Sequence, residues 1–180
     1  MVNVSFNRLL LSCLIFFCSM SFSQSYIIGD SQSFLLANNS VQTKILPSLA
    51  KSGIGVAELN VMLEKSSVHK EAKNVFISIG VNDNYFDRGL NLLIRNLDRV
   101  FPNSFFYLVK GSYGWGNVQE ISNQSPRYLE YYNTFRKLKI FVIEKDVGYG
   151  DPHQNKAAYA QIGDFVDYIV WKNYTREQKK

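Results

Sequence analysis

The sequence predicts an α/β fold, a three-layer α/β/α sandwich with a mostly parallel central sheet. Two observations predict it. Short apolar runs rich in β-branched and aromatic residues alternate with longer segments of helical period, and no internal repeat or low-complexity linker interrupts them. In such folds ligands bind outside the carboxyl ends of the strands, so functional residues are expected directly after each strand.

Four apolar runs are predicted as buried parallel strands, at residues 26–28, 75–79, 105–109 and 140–143. Segments with apolar residues three and four apart are predicted as covering helices, at residues 56–63, 90–100, 128–138 and 156–171. A further helix is predicted to begin soon after the first strand, at residues 32–37. The alternation of strand and helix is what favours the parallel arrangement.

Residues 1–23 are predicted to be a cleaved secretory signal peptide, and residues 24–180 to be the folded domain. Arg8 is the only charged residue of the segment, and residues 9–22 are apolar or small. Ser21 and Ser23 place small residues where a signal peptidase cleaves. An uncleaved N-terminal anchor is the alternative. The prediction implies a secreted or periplasmic protein with no membrane span after cleavage.

Composition argues against several classes of function. Cys13 and Cys18 both lie in the predicted signal peptide, so neither thiol catalysis nor a cysteine-based zinc site is expected in the domain. The net charge of +5 is spread along the chain, which is typical of a solvated surface and not of a nucleic-acid interface. Two histidines and scattered carboxylates show no metal-ligand spacing, so no metal or other cofactor is expected.

The first predicted strand is followed by Gly29, Asp30 and Ser31. Ser31 would lie beside a helix start, whose positive end favours a developing anion and lowers the cost of ionising the hydroxyl. Ser31 is therefore a candidate nucleophile, and the alternative is that Asp30 or Ser31 only caps the helix. Because the segment lacks the second glycine of a Gly-x-Ser-x-Gly elbow, the α/β-hydrolase fold is not favoured.

Asn82 follows the second predicted strand across Gly80. Its side-chain amide is a candidate donor to a tetrahedral oxyanion, and a plain Asn-Asp turn is the alternative. Gly53 is a second candidate, since a residue without a side chain lets its backbone N–H approach a substrate oxygen closely. Gly55 competes with Gly53 for this role, and either glycine could be only a turn residue.

His153 is the candidate base for Ser31. The sequence contains one other histidine, His69, which lies among lysines and glutamates and is predicted to be a solvated helix end. His153 instead comes just before the last predicted helix, at the edge of the sheet where Ser31 is expected. A histidine near a helix start with no catalytic part is the alternative.

These segments, in this order, resemble the motifs of the SGNH hydrolases, also called GDSL esterases and lipases. The matching blocks are Gly29-Asp30-Ser31, Ser52-Gly53 before a helix, Gly80-Val81-Asn82-Asp83, and His153 before the last helix. The resemblance covers essentially all of residues 24–180 and implies a flavodoxin-like sandwich. It also implies that Ser31 is the nucleophile and His153 the general base. The oxyanion donors that it implies are the backbone N–H groups of Ser31 and Gly53 and the side chain of Asn82.

The sequence departs from the family pattern at one point. The family has an aspartate three residues before the histidine, whereas position 150 is Gly and the nearest carboxylate is Asp151, two residues before His153. Pro152 stiffens the turn between them and could let Asp151 reach the imidazole. Asp146 is a second candidate, and a Ser31–His153 dyad oriented by a backbone carbonyl is a third.

Four aromatic residues are candidates for lining a substrate pocket: Tyr85, Tyr113, Trp115 and Tyr149. Each follows a predicted strand or adjoins a site residue. For Tyr113 and Trp115, which lie in a glycine-rich segment at residues 111–116, packing against the sheet edge is the alternative.

The resemblance implies a secreted serine esterase that needs no cofactor and acts on an acyl or acetyl ester of a lipid or carbohydrate. Two alternatives differ in class. A binding or structural module of the same fold could have lost activity, and the shortened aspartate spacing supports that alternative. A sugar O-acetyltransferase would use the same serine and histidine but pass the acyl group to a hydroxyl. The expected partner is a small-molecule or carbohydrate ester, and the sequence does not indicate an oligomeric state.

Overall fold

The structure is a computed structural model that describes residues 24–110, 126–138, 140–143, 153 and 156–179. Within these ranges five strands form one sheet: β1 (Gln24–Gly29), β2 (Lys44–Ala50), β3 (Ala72–Ser78), β4 (Phe105–Val109) and β5 (Phe141–Ile143). Neighbouring strands are all parallel, in the spatial order β2-β1-β3-β4-β5. This is the flavodoxin-like order.

Helices cover both faces of the sheet. In the described part of the chain they are α1 (Ser31–Ala37), α2 (Val56–Lys65), α3 (Leu90–Val100), α4 (Pro126–Lys137) and α5 (Lys156–Glu177). A single 3₁₀ turn, Val81–Asp83, follows β3. The predicted bounds of β4 and α3 match the structure, and α5 continues the predicted helix beyond residue 171.

Two hydrophobic cores lie on opposite faces of the sheet, because successive strand residues point to opposite sides. Phe76 of β3 packs with Leu36 of α1 and Ile162 of α5. Its neighbour Ile77 belongs to the other core, which α2, α3 and α4 cover with residues such as Leu97. The three-layer α/β/α sandwich predicted from the sequence is confirmed.

Strand β2 is absent from the sequence prediction. Pro47 lies in its middle, and proline has no N–H to donate to a neighbouring strand. The structure accommodates it because β2 is at the edge of the sheet. The pairing with β1 also shifts there, from Ile27 opposite Ile45 to Gly29 opposite Ala50.

Gly163 lets α5 approach the loop that follows α1. A Cβ at position 163 would lie 1.8 Å from the carbonyl oxygen of Asn39, so a side chain would force the two apart. Asp167 holds the same loop, since its carboxylate accepts hydrogen bonds from the backbone N–H groups of Val41 and Gln42, both at 3.0 Å. These contacts attach α5 to the loop between α1 and β2, at the amino edge of the sheet.

His69 is not at a solvated helix end, so that prediction is wrong. It lies in the loop between α2 and β3, at the amino edge of the sheet. Its ring stacks on Phe101 with centroids 5.4 Å apart, and its backbone N–H donates to Val100 O at 2.7 Å.

None of the described helices has the length and apolarity needed to cross a membrane.

Candidate active site at the carboxyl edge of the sheet

Ser31 is presented by a tight turn between β1 and α1. Gly29 ends β1 with φ of +121°, and a Cβ there would lie 1.9 Å from the carbonyl oxygen of Ser78 in β3. Only glycine therefore lets the chain turn so close to β3. The backbone N–H of Asp30 donates to the same carbonyl at 2.8 Å. The turn fixes Ser31, partly buried, at the carboxyl edge of the sheet.

His153 lies directly beside Ser31. Its Nε2 is 2.8 Å from Ser31 Oγ, although 122 residues separate the two along the chain. With the ring proton on Nδ1, Nε2 accepts a hydrogen bond from the hydroxyl. The distance is that expected between a serine nucleophile and its general base.

Asn82 and Gly53 belong to two segments that contact each other. The side-chain amide of Asn82, on the 3₁₀ turn after β3, donates to the carbonyl oxygen of Ile54 at 3.0 Å. Gly53 has φ of +78°, and a Cβ there would have no atom within 4 Å. The structure thus leaves open space at position 53, next to the residue that Asn82 contacts.

Gly55, the alternative to Gly53, is packed differently. A Cβ at position 55 would lie 2.2 Å from Oδ1 of Asp83. Gly55 is also the N-terminal cap position of α2, where the backbone is extended. The space on the Cβ side of Gly55 is therefore filled by the Asp83 carboxylate, whereas the same side of Gly53 is open.

Solved structures of similar shape include two lipases and the catalytic domain of an acetyltransferase. A GDSL-like lipase from Bacteroides thetaiotaomicron has a TM-score of 0.57 and 10% identity, and the alignment covers 84% of this chain and 89% of that one. A lipase/acylhydrolase from Enterococcus faecalis has a TM-score of 0.56 and 13% identity, covering 82% and 94%. The C-terminal catalytic domain of Streptococcus pneumoniae peptidoglycan O-acetyltransferase A has a TM-score of 0.56 and 16% identity, covering 83% and 93%.

The fold is that of the SGNH hydrolases. The fold resemblance implied by the sequence motifs is therefore confirmed. No protein-family model and no curated protein sequence matches the chain. The identities to the solved SGNH-fold enzymes are low, so roles of individual residues rest on the local geometry of this chain.

Asp30 caps α1, as one of the alternatives for this segment predicts. Its Oδ1 accepts hydrogen bonds from the backbone N–H of Gln32 at 3.0 Å and from Ser78 Oγ at 3.3 Å. The side chain is fully buried, and its Oδ2 has no hydrogen-bond partner among the described residues. Burial raises the pKa of Asp30 from its ordinary value of 3.8 to about 7, against the opposing effect of these hydrogen bonds. The nearby Asp83 raises the pKa further.

The raised pKa of Asp30 predicts a pH-dependent stability. The folded state holds a proton that the unfolded chain has already released, so the free energy of unfolding should fall as pH rises from about 4 to about 7. The contribution of this one group would be on the order of 4 kcal/mol. Urea unfolding of wild type and Asp30→Asn at pH 5 and pH 8 measures it. The variant should lose less stability between the two pH values, and an equal loss would contradict the prediction.

Tyr85 is a buried residue of an aromatic cluster. It is 1% exposed and packs against the rings of Tyr128, Tyr131 and Tyr132, with centroids 4.8 to 5.8 Å apart. Its backbone φ of +59° follows one of +49° at Asn84, and such left-handed conformations are costly for residues with side chains. The packed ring stabilises this turn. Burial raises the pKa of Tyr85 well above its ordinary value, so its hydroxyl stays neutral.

A cavity of about 380 Å³ borders the Tyr85 cluster. Its lining residues are Tyr85, Phe86, Asp87, Arg127, Glu130, Tyr131 and Thr134. The Arg127 guanidinium lies 4.3 Å from the centre of the Phe86 ring. Tyr131 also contacts the β3 end, because its hydroxyl donates to Ile79 O at 3.4 Å. Among its described lining residues, Tyr85 lies three residues after Asn82, whereas Ser31, Asn82 and His153 are not part of the lining.

The remaining predicted site residues lie outside the described residues. These are Asp151, the alternative Asp146, Tyr113, Trp115 and Tyr149. In the part of the chain that the structure does describe, no three His, Cys, Asp or Glu side chains cluster as they would around a metal ion.

Proposed function

We propose that this protein is an exported serine esterase with the SGNH hydrolase fold, acting on an acyl or acetyl ester of a lipid or carbohydrate. The observation that carries the proposal is the 2.8 Å distance between His153 Nε2 and Ser31 Oγ at the carboxyl edge of the sheet. A serine hydroxyl is a weak nucleophile until a base takes its proton, and this contact supplies the base. Export rests on the predicted signal peptide at residues 1–23.

The proposed reaction has two steps. His153 Nε2 takes the Ser31 proton while Oγ attacks the ester carbonyl carbon, and the imidazolium then protonates the departing alcohol. This leaves an acyl group on Ser31. Water then attacks the acyl carbon as His153 takes one of its protons, and the same proton returns to Ser31 Oγ when the carboxylic acid leaves.

Three donors are proposed for the tetrahedral oxyanion: the backbone N–H groups of Ser31 and Gly53 and the side-chain amide of Asn82. The open space at Gly53 and the contact between Asn82 and Ile54 support this assignment. Fixed donors stabilise negative charge in the transition state without reorganising, which is why they accelerate acyl transfer.

Asp151 is proposed to orient His153, with Asp146 or a backbone carbonyl as the alternatives. A carboxylate that accepts a hydrogen bond from Nδ1–H would hold the imidazole in the tautomer that leaves Nε2 as the acceptor. The 2.8 Å contact to Ser31 requires that tautomer for proton transfer.

The cavity beside Tyr85 is proposed to hold part of the substrate. Its volume of about 380 Å³ is in the range of small-molecule sites, and its lining residue Tyr85 lies three residues after Asn82. Tyr113, Trp115 and Tyr149 are proposed as further lining residues. Because Phe86 is 47% exposed there, the cavity offers an apolar surface beside charged groups.

Sugar O-acetyl transfer is the second candidate, favoured by the similarity of fold to the peptidoglycan O-acetyltransferase domain. It uses the same acyl-serine step but ends with a sugar hydroxyl as the acceptor. A binding or structural module of the same fold that has lost catalytic activity is the third candidate.

A fluorophosphonate probe tests the enzyme proposal, because it labels an activated serine covalently. We expect one adduct at Ser31 in wild type and none in Ser31→Ala. Absence of the adduct, with p-nitrophenyl acetate hydrolysis no faster in wild type than in Ser31→Ala, would exclude the esterase. Product analysis with an oligosaccharide acceptor then separates transfer from hydrolysis, since transfer gives acetylated sugar and hydrolysis gives acetate.

A further inference from the structure

The start of α2 is capped by a residue from another part of the chain. Its own cap position is Gly55, which has no side chain to accept a hydrogen bond. The carboxylate of Asp83, 27 residues away from Val56 in sequence, accepts from the Val56 backbone N–H at 2.6 Å. A helix that lacks a local cap therefore depends on the 3₁₀ turn after β3 for this bond.

Asn82 and Asp83 bind the same segment at two neighbouring points. Asn82 donates to Ile54 O at 3.0 Å, and Asp83 accepts from Val56 N–H. Two adjacent residues thus bracket Gly55, one through a carbonyl and one through an N–H. This double contact sets the position of the Gly53 segment relative to the side chain of Asn82.

The fit between Asp83 and Gly55 is close. A Cβ at position 55 would lie 2.2 to 2.6 Å from all three carboxyl atoms of Asp83, so only glycine leaves room for the carboxylate. Asp83 is 5% exposed. Burial raises its pKa, and the bond from Val56 and the charge of Arg88 oppose that shift. The carboxylate is therefore enclosed and directed at α2.

We propose that Asp83 is a positioning residue of the oxyanion hole, which holds the Gly53 backbone and the Asn82 amide in register with each other. The inference rests on the proposed function, since it assigns Asp83 a role in that same site. Asp83 acts through its neighbours and not on the substrate. Its carboxylate connects the turn that carries Asn82 to the start of α2, next to Gly53, and these two segments are distant in sequence.

Removing the Asp83 carboxylate should lower kcat much more than it changes KM. Misplacement of a catalytic group by about 1 Å can cost on the order of 10²-fold in rate. We expect Asp83→Ala to lower kcat for p-nitrophenyl acetate by about 10- to 100-fold with KM within about twofold, because donors of an oxyanion act mainly in the transition state. Asp83→Asn should restore most of kcat, since its amide oxygen can accept from Val56 N–H.

Gly55→Ala gives a second route to the same result. It keeps Asn82 and Asp83 in the sequence, but its methyl group would occupy the space of the Asp83 carboxylate and displace it. Its φ of −106° is accessible to alanine, so the backbone itself tolerates the change. If Asp83→Ala fails to fold, Gly55→Ala and Asp83→Asn still test the role, with a fall in kcat expected in the first and not in the second.

Asp167→Ala is the matched control. It also removes a carboxylate that accepts two backbone N–H bonds, but at the amino edge of the sheet. We expect a loss of stability with kcat within about twofold of wild type.

Amide hydrogen exchange supplies a readout that does not depend on activity. The Val56 amide should exchange at least about tenfold faster in Asp83→Ala than in wild type, and close to the wild-type rate in Asp83→Asn. Unchanged exchange of the Val56 amide in Asp83→Ala, or an unchanged kcat in both Asp83→Ala and Gly55→Ala, overturns the proposed role of Asp83. Neither result bears on the proposed function. A wild-type chain without Ser31-dependent turnover overturns the proposed function, and the role of Asp83 with it.

Discussion

Replacing His153 by Ala is expected to lower kcat for p-nitrophenyl acetate by at least about 10⁴-fold, since removal of the base in serine hydrolases costs up to about 10⁶-fold. The physical reason is the loss of the proposed base, whose Nε2 lies 2.8 Å from Ser31 Oγ. Stopped-flow or steady-state hydrolysis measures the change, with circular dichroism to verify that the variant is folded. The burst of acyl-enzyme formation should disappear together with steady-state turnover.

His69→Ala is the control for this prediction, because His69 is the other histidine of the sequence and lies at the opposite edge of the sheet. Its kcat should match wild type. The double variant Ser31→Ala/His153→Ala should be no slower than either single variant, since residues that act as a unit do not add. Substantial hydrolysis by a folded His153→Ala protein would remove this residue from the mechanism.

Replacing Asn82 by Ala is expected to lower kcat by about 10²- to 10³-fold, the equivalent of 3 to 4 kcal/mol of transition-state stabilisation. KM should change little, because the oxyanion forms only after binding. Steady-state kinetics with two esters of different leaving group separates this loss from an effect on alcohol departure. Fluorophosphonate labelling of Ser31 should also slow, since that reaction develops charge on an oxygen at the same position.

Asn103→Ala is the matched asparagine. Its amide donates to the backbone carbonyl of Lys70 at 3.0 Å, the same kind of bond that Asn82 makes to Ile54, but in the turn before β4. We expect it to hydrolyse esters at the wild-type rate. Equal kcat values for the two asparagine variants would show that Asn82 only holds a turn.

Most of the fold could be predicted because the central strands are continuous apolar runs. Val75, Phe76 and Ile77 are buried on both faces of β3, so their sequence reads as a strand without any tertiary information. The edge strand β2 could not be read in this way, since it is largely exposed and contains Pro47. Its place is decided by pairing with β1, which a local pattern does not contain.

The contact of Ser31 with His153 was predictable from position after strands in a doubly wound sheet. The different packing of Gly53 and Gly55 was not, because the carboxylate that fills the space beside Gly55 comes from 28 residues away. The burial of Asp30 was also not predictable, since an aspartate at a helix cap is usually solvated. The adjacent Asn82-Asp83 pair was the one available signal for the bridge to α2.

The long separation of Ser31 and His153 along the chain has a consequence for protein synthesis. Ser31 leaves the ribosome 122 residues before His153, and the helix that follows the histidine comes later still. A chain that has not finished folding therefore holds Ser31 without its contact to His153. Under the proposed function, such a chain would be inert toward esters until folding brings the two side chains together.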